Sequence, residues 1–556
     1  QPDGSGAQLM ADENGRGQAG SAGAQAQDGW TPERSVAGDR NPWAIVAVIS
    51  IATFMTVLDT SIVNVALDHI AGGLAVSFDE ATWVSTTFLV ATAIVIPISG
   101  WLADVIGRKR YYMISVALFT ASSLACGMAP NLPLLILARV IQGAAGGGLA
   151  AAEQSMLADT FPPKQRGQAF AAYGLVVILG PVIGPVVGGF ITDNSSWRWC
   201  FLINVPIGVL SLFLVNMFVD EPQALIDDRK KLLSKGLSVD IVGFILVALF
   251  FGCLEVTLDR GQTDDWFASP FITTTAIVAA LSLFLFIPWE LTRDDPIVPI
   301  GMFGRRNFGI ASLFLLLTGV IVFGSTLFIP QLLQQVMGYT ATDAGLALTA
   351  GGFATLVAMP VVGFLSGKVD ARILIGVAFV VEGLALVNMS HLNTNMSFDD
   401  AALARTYQAV GLPFLFVPIS AIAYVGLKPS ENNQASALMN VARNFGGTLG
   451  ISTVQTMLAR RSQWHQARLV ETLNPLNPNY VQGIGRFSQA VGQSASNIGD
   501  ASTQAIAGLY RTLQRQALML SYVDVFQVLA IVVFASVPLV FLLRGAKGGA
   551  PSGGAA

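Results

Sequence analysis

The sequence predicts an all-α integral membrane protein: two six-helix halves with two further helices inserted between them. Three observations carry that expectation. The 556 residues are 53% apolar and only 12% charged, where soluble domains hold about 25% charged residues. Fourteen apolar stretches are long enough for a spanning helix, which needs about 20 residues. The two ends of the chain also repeat each other in order.

The stretches are 43–67, 81–103, 111–129, 133–152, 167–190, 199–219, 239–258, 268–289, 308–332, 341–366, 372–390, 404–426, 436–457 and 520–543. Runs of this length satisfy their backbone polar groups inside lipid only as helices. Short loops after even-numbered spans hold fifteen Lys and Arg, from Arg108 to Lys428; loops after odd-numbered spans hold Arg198 and Arg260. The positive-inside rule then puts both termini in the cytoplasm. The polar ends, 1–42 and 544–556, read as loose cytoplasmic tails.

Leu137-Ala138-Arg139-Val140-Ile141-Gln142 recurs as Leu403-Ala404-Arg405-Thr406-Tyr407-Gln408, shifted by 266. Pro163, Gln168 and Ala169 recur as Pro429, Gln434 and Ala435; Pro97, Gly100 and Leu102 recur as Pro360, Gly363 and Leu365. Spans 1–6 therefore correspond to spans 9–14. The expected units are a first half, 43–219, a linker with two inserted spans, 220–307, and a second half, 308–543. Parallel six-helix halves are the pattern of secondary transporters of the major facilitator type, with the substrate path between the halves.

Composition excludes other classes. A net charge of −4 offers no basic excess for nucleic acid. Three cysteines inside apolar runs do not make a disulfide framework. The phosphate-binding pattern of ATPases is absent, as are zinc and hydrolase motifs. No metal, cofactor or enzymatic activity is expected, so transport must draw on a gradient. The three histidines (His69, His391, His465) fall on the outer side and read as solvated.

Ionisable groups inside a bilayer are expensive and mark function. Asp59 lies about 12 Å below the outer end of span 1 and Arg139 about 9 Å below that of span 4, from the helical rise. Opposite charges at matching depth predict a pair, and a carboxylate alternating between a cation and a proton is a coupling device. Glu382, mid-way along span 11 among Val, Gly and Leu, is a second candidate. Glu153 and Arg443 read as snorkelling near inner helix ends, and Glu255, Asp259 and Arg260 as interfacial structure.

The loop Gly100 to Arg110 joins spans 2 and 3 on the cytoplasmic side. Gly107 suits a tight turn. Asp104 can bind a nearby cation, such as Arg108 or Arg110, or helix N-terminal N–H groups. Such a latch would close the inner side. Span 5 carries Gly180, Pro181, Gly184, Pro185, Gly188 and Gly189. Its prolines predict a bend and its glycines, four apart, a groove for a facing helix; the run Gly143 to Gly148 in span 4 likewise reads as close packing.

With Leu58-Asp59-Thr60-Ser61-Ile62-Val63-Asn64-Val65-Ala66-Leu67, the latch at 100–110, Arg139-Val-Ile-Gln142-Gly143 and the Gly-Pro run of span 5, the sequence resembles the fourteen-helix EmrB/QacA-type drug–proton antiporters of the major facilitator superfamily. Trp197 to Pro206, Leu258-Asp259-Arg260-Gly261, Asp265-Trp266-Phe267 and Asn474 to Pro478 extend the likeness to the EmrB type. Asp68 stands where the family usually has proline, and Val105 where Arg is common. The resemblance implies proton-driven export of hydrophobic or amphipathic compounds across a bacterial inner membrane. It also implies two partners, a periplasmic membrane-fusion protein and an outer-membrane channel of the TolC type.

The 62-residue segment 458–519 is far longer than an ordinary connection. Ile506, Leu509, Tyr510 and Leu513 share one helical face. An outward helical hairpin is expected, packed on itself or docked to the fusion protein. Two other functions compete: a proton-coupled importer or facilitator, against which the Gly-Pro run argues by resemblance, and a non-transporting envelope scaffold, which has no use for acids inside the bilayer.

Overall fold

The computed structural model describes residues 32–234, 240–293, 296–326, 328–471, 473–474, 477–492 and 498–544. Of the expected tails, residues 1–31 and 545–556 fall outside the described residues, as do Lys235, Pro475 and the side chain of Pro181. Residues 32–41 are folded, unlike the loose tail expected there. Val36 and Ala37 are buried, the Val36 carbonyl accepts from Asp220 N at 2.9 Å, and Arg34 pairs with Asp228 at 2.6 Å.

The first half comprises α1 (Pro42–Leu74), α2 (Phe78–Ile106), α3 (Arg108–Met128), α4 (Leu132–Gly146), α5 (Leu149–Thr160), α6 (Pro163–Asn194) and, after one helical turn at Trp199–Leu202, α7 (Asn204–Phe218). The linker adds α8 (Gln223–Ser234), α9 (Ile241–Arg260) and α10 (Pro270–Leu291). The second half comprises α11 (Arg306–Thr326), α12 (Phe328–Gln335), α13 (Ala341–Ser366), α14 (Ala371–Met389), α15 (Phe398–Ala423), α16 (Asn432–Glu471), α17 (Pro478–Gly492) and α18 (Ile498–Ser536). Twelve helices among the described residues are long and apolar enough to cross a membrane. The predicted spans 167–190 and 436–457 lie within the two other long helices, α6 and α16, of 32 and 40 residues. Asn432, Asn433, Asn440 and Arg443 make the start of α16 polar, and it packs between the halves.

Local chemistry fixes the helix starts. Ser77 caps α2 through a reciprocal box with Glu80, Thr340 caps α13 through Asp343, and Ser397 caps α15 through Asp400. Each box satisfies two otherwise orphaned N–H groups. Span 4 is broken between α4 and α5 at Gly147 and Gly148, where a methyl on Gly148 would strike the Tyr111 hydroxyl. The glycine run thus lets this helix lie against α3.

The repeat is visible as packing. α1 packs on α6, α2 on α4 and α3 on α4; the corresponding pairs, α11 on α16, α13 on α15 and α14 on α15, recur in the second half. The halves meet through α2 with α16 and α6 with α13, one pair being the image of the other under the repeat. Shifting Gly180 and Gly184 by 266 gives Gly446 and Gly450. A methyl on Gly180 would lie 2.6 Å from the Val57 side chain, and one on Gly450 would lie 2.6 Å from the Val320 carbonyl oxygen. Both helices therefore use glycine to press against the first helix of their own half. α9 and α10 pack as a pair, with α9 against α2 and α16. The Gly450→Val variant is expected to lose about 1–3 kcal/mol by overpacking, measured as a lower unfolding midpoint in micelles; an unchanged midpoint refutes this packing role.

Candidate functional site

Asp59 and Arg139 meet. Asp59 is 0% and Arg139 1% exposed. Arg139 Nη1 donates to Asp59 Oδ2 at 2.6 Å and to Gln142 Oε1 at 2.8 Å, and its Nε donates to the Val84 carbonyl at 3.0 Å. The guanidinium lies 4.1 Å from the Phe88 ring centroid. The other carboxylate oxygen, Asp59 Oδ1, accepts from Gln142 at 3.1 Å and from Asn204 at 2.7 Å. Asn204 also donates to Ser123 Oγ at 3.1 Å. The charge is thus paired and its lone pairs are filled, which a buried ion pair requires. Gln142 and Asn204 had not been singled out. The signal for Gln142 was its spacing of three from Arg139, which puts both on one helix face; for Asn204 the sequence held no such signal.

The second half carries a related cluster built differently. Under the repeat, Arg405 and Gln408 match Arg139 and Gln142, while Ser325 stands where Asp59 would be. Arg405 Nη1 donates to Gln408 Oε1 at 2.6 Å, and Gln408 donates to Ser325. The acid comes instead from α14: Glu382, fully buried, faces Gln408 and Arg405. A methyl on Gly411 would lie 2.7 Å from Glu382 Oε2, so that glycine makes room for the carboxyl. Glu382 lies in the other half from the Asp59 pair.

The latch is assembled across the halves. Gly107 sits at φ +100, a region where a side chain would be strained. Asp104 accepts from Asn433 of α16, a partner not expected for it, and stands close enough to Arg108 for their charges to interact. Arg108 pairs with Asp159 of α5, which also accepts from Asn432 at 2.7 Å. A methyl on Gly100 would lie 2.8 Å from the Gln434 Cα. Ser155 donates to Asn433 Oδ1 at 2.5 Å, and Asn440 donates to Gln154 at 3.0 Å. Arg110 is exposed and takes no part. Among the described residues, these side-chain hydrogen bonds between the halves cluster at the end that carries most of the basic loop residues. Along α6 and α13 a methyl on Gly167 would meet Ser366 at 2.6 Å at that basic end, while one on Gly345 meets Val186 only at 3.8 Å toward the other. The halves are closed at the basic end.

In span 5, Gly180, Gly184 and Gly188 face Val57, Ser61 and Ile62, the stretch of α1 that holds Asp59; Gly189 has nothing within 4 Å. The helix stays continuous from Pro163 to Asn194 through both prolines.

Glu153 and His465 differ from expectation, while Glu255, Asp259 and Arg260 make contacts between helices. Glu153 does not snorkel: it is 0% exposed and accepts from Thr53 Oγ1 at 2.5 Å. Glu255 accepts from Thr448 of the second half at 3.1 Å, Asp259 from Thr86 at 2.5 Å, and Arg260 donates to Thr82 at 2.8 Å. His465 is not solvated but bonds Asp524 at 2.9 Å, because α16 runs on beside α18 past the membrane end. Arg461 joins the same Asp524 at 3.4 Å. Among the described residues no cluster fits a metal ion.

The model of the Major Facilitator Superfamily matches residues 49–465. The multidrug export protein EmrB of Haemophilus influenzae is 38% identical over 483 residues, covering 87% of this chain and 92% of that protein. This chain belongs to the EmrB type of the major facilitator superfamily. Its superfamily relatives include EmrB of Escherichia coli K12, 36% identical over 91% of this chain and 96% of that protein. The fatty acid resistance protein FarB of Neisseria gonorrhoeae is 32% identical over 89% and 95%. The solved proton:xylose symporter XylE shares the fold, with a TM-score of 0.56 at 14% identity over 89% of this chain and 96% of that one.

In this multi-pass superfamily member, removing Arg139 would strand Asp59 as an unpaired buried charge. Arg139→Ala is expected to cost about 3–5 kcal/mol, read as a fall in the unfolding midpoint of the purified protein, with Asp59→Asn restoring part of it. An unchanged midpoint for Arg139→Ala refutes this account.

Proposed function

We propose that this protein is a proton-coupled exporter of hydrophobic and amphipathic compounds, taking them from the cytoplasm or inner leaflet. The observation that carries the reading is the buried, fully bonded Asp59–Arg139 pair. A buried acid beside a cation can hold charge in one arrangement and take a proton in another, and that difference is what couples two fluxes. Glu382 supplies a second acid in the other half. The relatives' printed roles, multidrug export and fatty acid resistance, agree with a hydrophobic cargo.

The basic end is the cytoplasmic one on the positive-inside rule, so both termini are cytoplasmic and the closed state described here faces outward. Opening inward must part Asp104 from Asn433 and Asp159 from Asn432. The hairpin 458–519 then stands in the periplasm. Within it Gln466 bonds Tyr510 at 2.6 Å and Leu513 is buried, yet Ile506 and Tyr510 stay exposed. That uncovered face suits a periplasmic membrane-fusion protein, which would link the carrier to a TolC-type channel.

Transport in proteoliposomes tests the coupling. Asp59→Asn is expected to abolish uphill export and the proton flux evoked by substrate, while downhill exchange persists. Uphill export by that variant refutes the role of Asp59. The latch is tested by linking Ser155→Cys to Asn433→Cys through disulfides with a short bis-methanethiosulfonate reagent, with the partly accessible Cys253 replaced by Ser. Export should stop and return on reduction; full activity of the linked carrier refutes the gate.

A further inference from the structure

Glu153 is a buried acid that the coupling scheme above leaves unused. It sits on α5, and Thr53 of α1 supplies two hydrogen bonds: the hydroxyl donates to Oε2 at 2.5 Å and the amide to Oε1 at 3.2 Å, with the Tyr112 hydroxyl also in hydrogen-bonding contact. The Thr53 hydroxyl also lies 3.3 Å from the Tyr173 hydroxyl. Tyr112, fully buried beside the acid, donates to the Ile49 carbonyl at 2.7 Å. These neighbours are neutral, and among the described residues no cation stands within ion-pair distance of Glu153. The charged groups on the elements packed around α5 are engaged elsewhere. Arg108 of α3 is paired with Asp159, and Asp104 of α2 accepts from Asn433. Arg166 of α6 donates to the Ala158 and Phe161 carbonyls, and Arg139 of α4 holds Asp59. Arg34, N-terminal to α1, pairs with Asp228. Arg443 of α16 donates to Asn440 at 2.6 Å.

An ionised carboxylate kept dry without a cation is costly, whereas the neutral acid needs only hydrogen bonds. Position decides when this acid can meet water. Thr53 is six residues from Asp59 toward the basic end, about 9 Å along the helix. The next two residues after Glu153, Gln154 and Ser155, are the ones that bond Asn440 and Asn433 of α16. Separating α16 from α5 at the basic end would therefore uncover the helix segment that carries the acid.

We propose that Glu153 is a second proton-binding site of the first half, which exchanges its proton with the cytoplasm only while the basic end is open and must be protonated for that end to close. On opening, the carboxyl O–H breaks and the proton passes to cytoplasmic water, leaving the carboxylate solvated. On closing, a proton returns to the same carboxyl before it is sealed. The inference rests on the antiport reading for its purpose, but its test needs neither substrate nor gradient.

The test follows the accessibility of Ala437→Cys, a buried position on α16 between Asn433 and Asn440, in a chain whose native cysteines are replaced by Ser. A membrane-impermeant thiol reagent is applied from the cytoplasmic face over a range of pH. Labelling, divided at each pH by that of the same cysteine in the denatured chain so that the thiolate fraction cancels, is expected to rise with pH, as loss of the proton favours the open end. In Glu153→Gln, which keeps the acceptor for the Thr53 hydroxyl but cannot ionise, that rise should be lost and labelling should stay low. Glu153→Asp, which restores an ionisable carboxyl, should regain a pH-dependent rise. The same rise in Glu153→Gln, or no rise in the parent chain, overturns the proposal. If Glu153→Gln does not fold, a flat profile in Glu153→Asp overturns it as well. Failure of antiport itself would show separately, as the absence of substrate-evoked proton flux in the unmodified carrier.

Discussion

A charge buried in hydrocarbon must be matched by a partner or given up as a proton, and this one constraint organises the interior of the molecule. Asp59 is matched: Arg139 supplies the opposite charge, and Gln142 and Asn204 fill the remaining lone pairs. Four segments of the first half meet there, since α1 and α4 bring the charges while α7 brings Asn204 and α2 offers the Val84 carbonyl and the Phe88 ring. The glycines of α6 press on the same turns of α1. Any movement of α1 against α4 must therefore rearrange a charge, and any change of that charge must move helices.

The two halves are copies in packing but not in chemistry. Glycines at 180 and 184, and at 446 and 450, let α6 and α16 lie on the first helix of each half. They are architectural in both places. The prolines are not shared: Gly447 and Ile451 stand where Pro181 and Pro185 would recur. The acid is not shared either, because Ser325 replaces Asp59 and Glu382 enters from α14. Symmetric packing makes the halves alike as bodies, and the asymmetric placement of acids gives each a different buried charge arrangement.

Much of this was legible in the sequence, for physical reasons. Spans follow from hydropathy and length, and the repeat from ordered identities. The Asp59–Arg139 pair followed from depth and sign alone, since few other partners exist within a bilayer. What was not legible depends on contacts between segments far apart in the chain. Glu153 lies so near a helix end that snorkelling was the cheaper reading; only the Thr53 contact on α1 shows it turned inward. Asp104 lies near its basic neighbour Arg108, but its hydrogen bond comes from Asn433, 329 residues away. His465 looked solvated because the continuation of α16 beside α18 cannot be read from hydropathy in a polar segment.

On the role proposed for Glu153, these contacts let closure of one end respond to protons without a charge in the gate having to titrate. The bonds across the gate come from the amides and hydroxyl of Asn432, Asn433, Asn440, Gln154 and Ser155, with the carboxylates of Asp104 and Asp159 accepting two of them. Such groups bond equally well to water, so they give the closed end register and little net energy. A seal of that kind sits near balance, and a modest free-energy term from a neighbouring acid can tip it. Strong ion pairs across the seam would hold it shut instead. The polar composition of the start of α16, which lowers its hydropathy as a membrane span, is thus the feature that leaves the seam free to open.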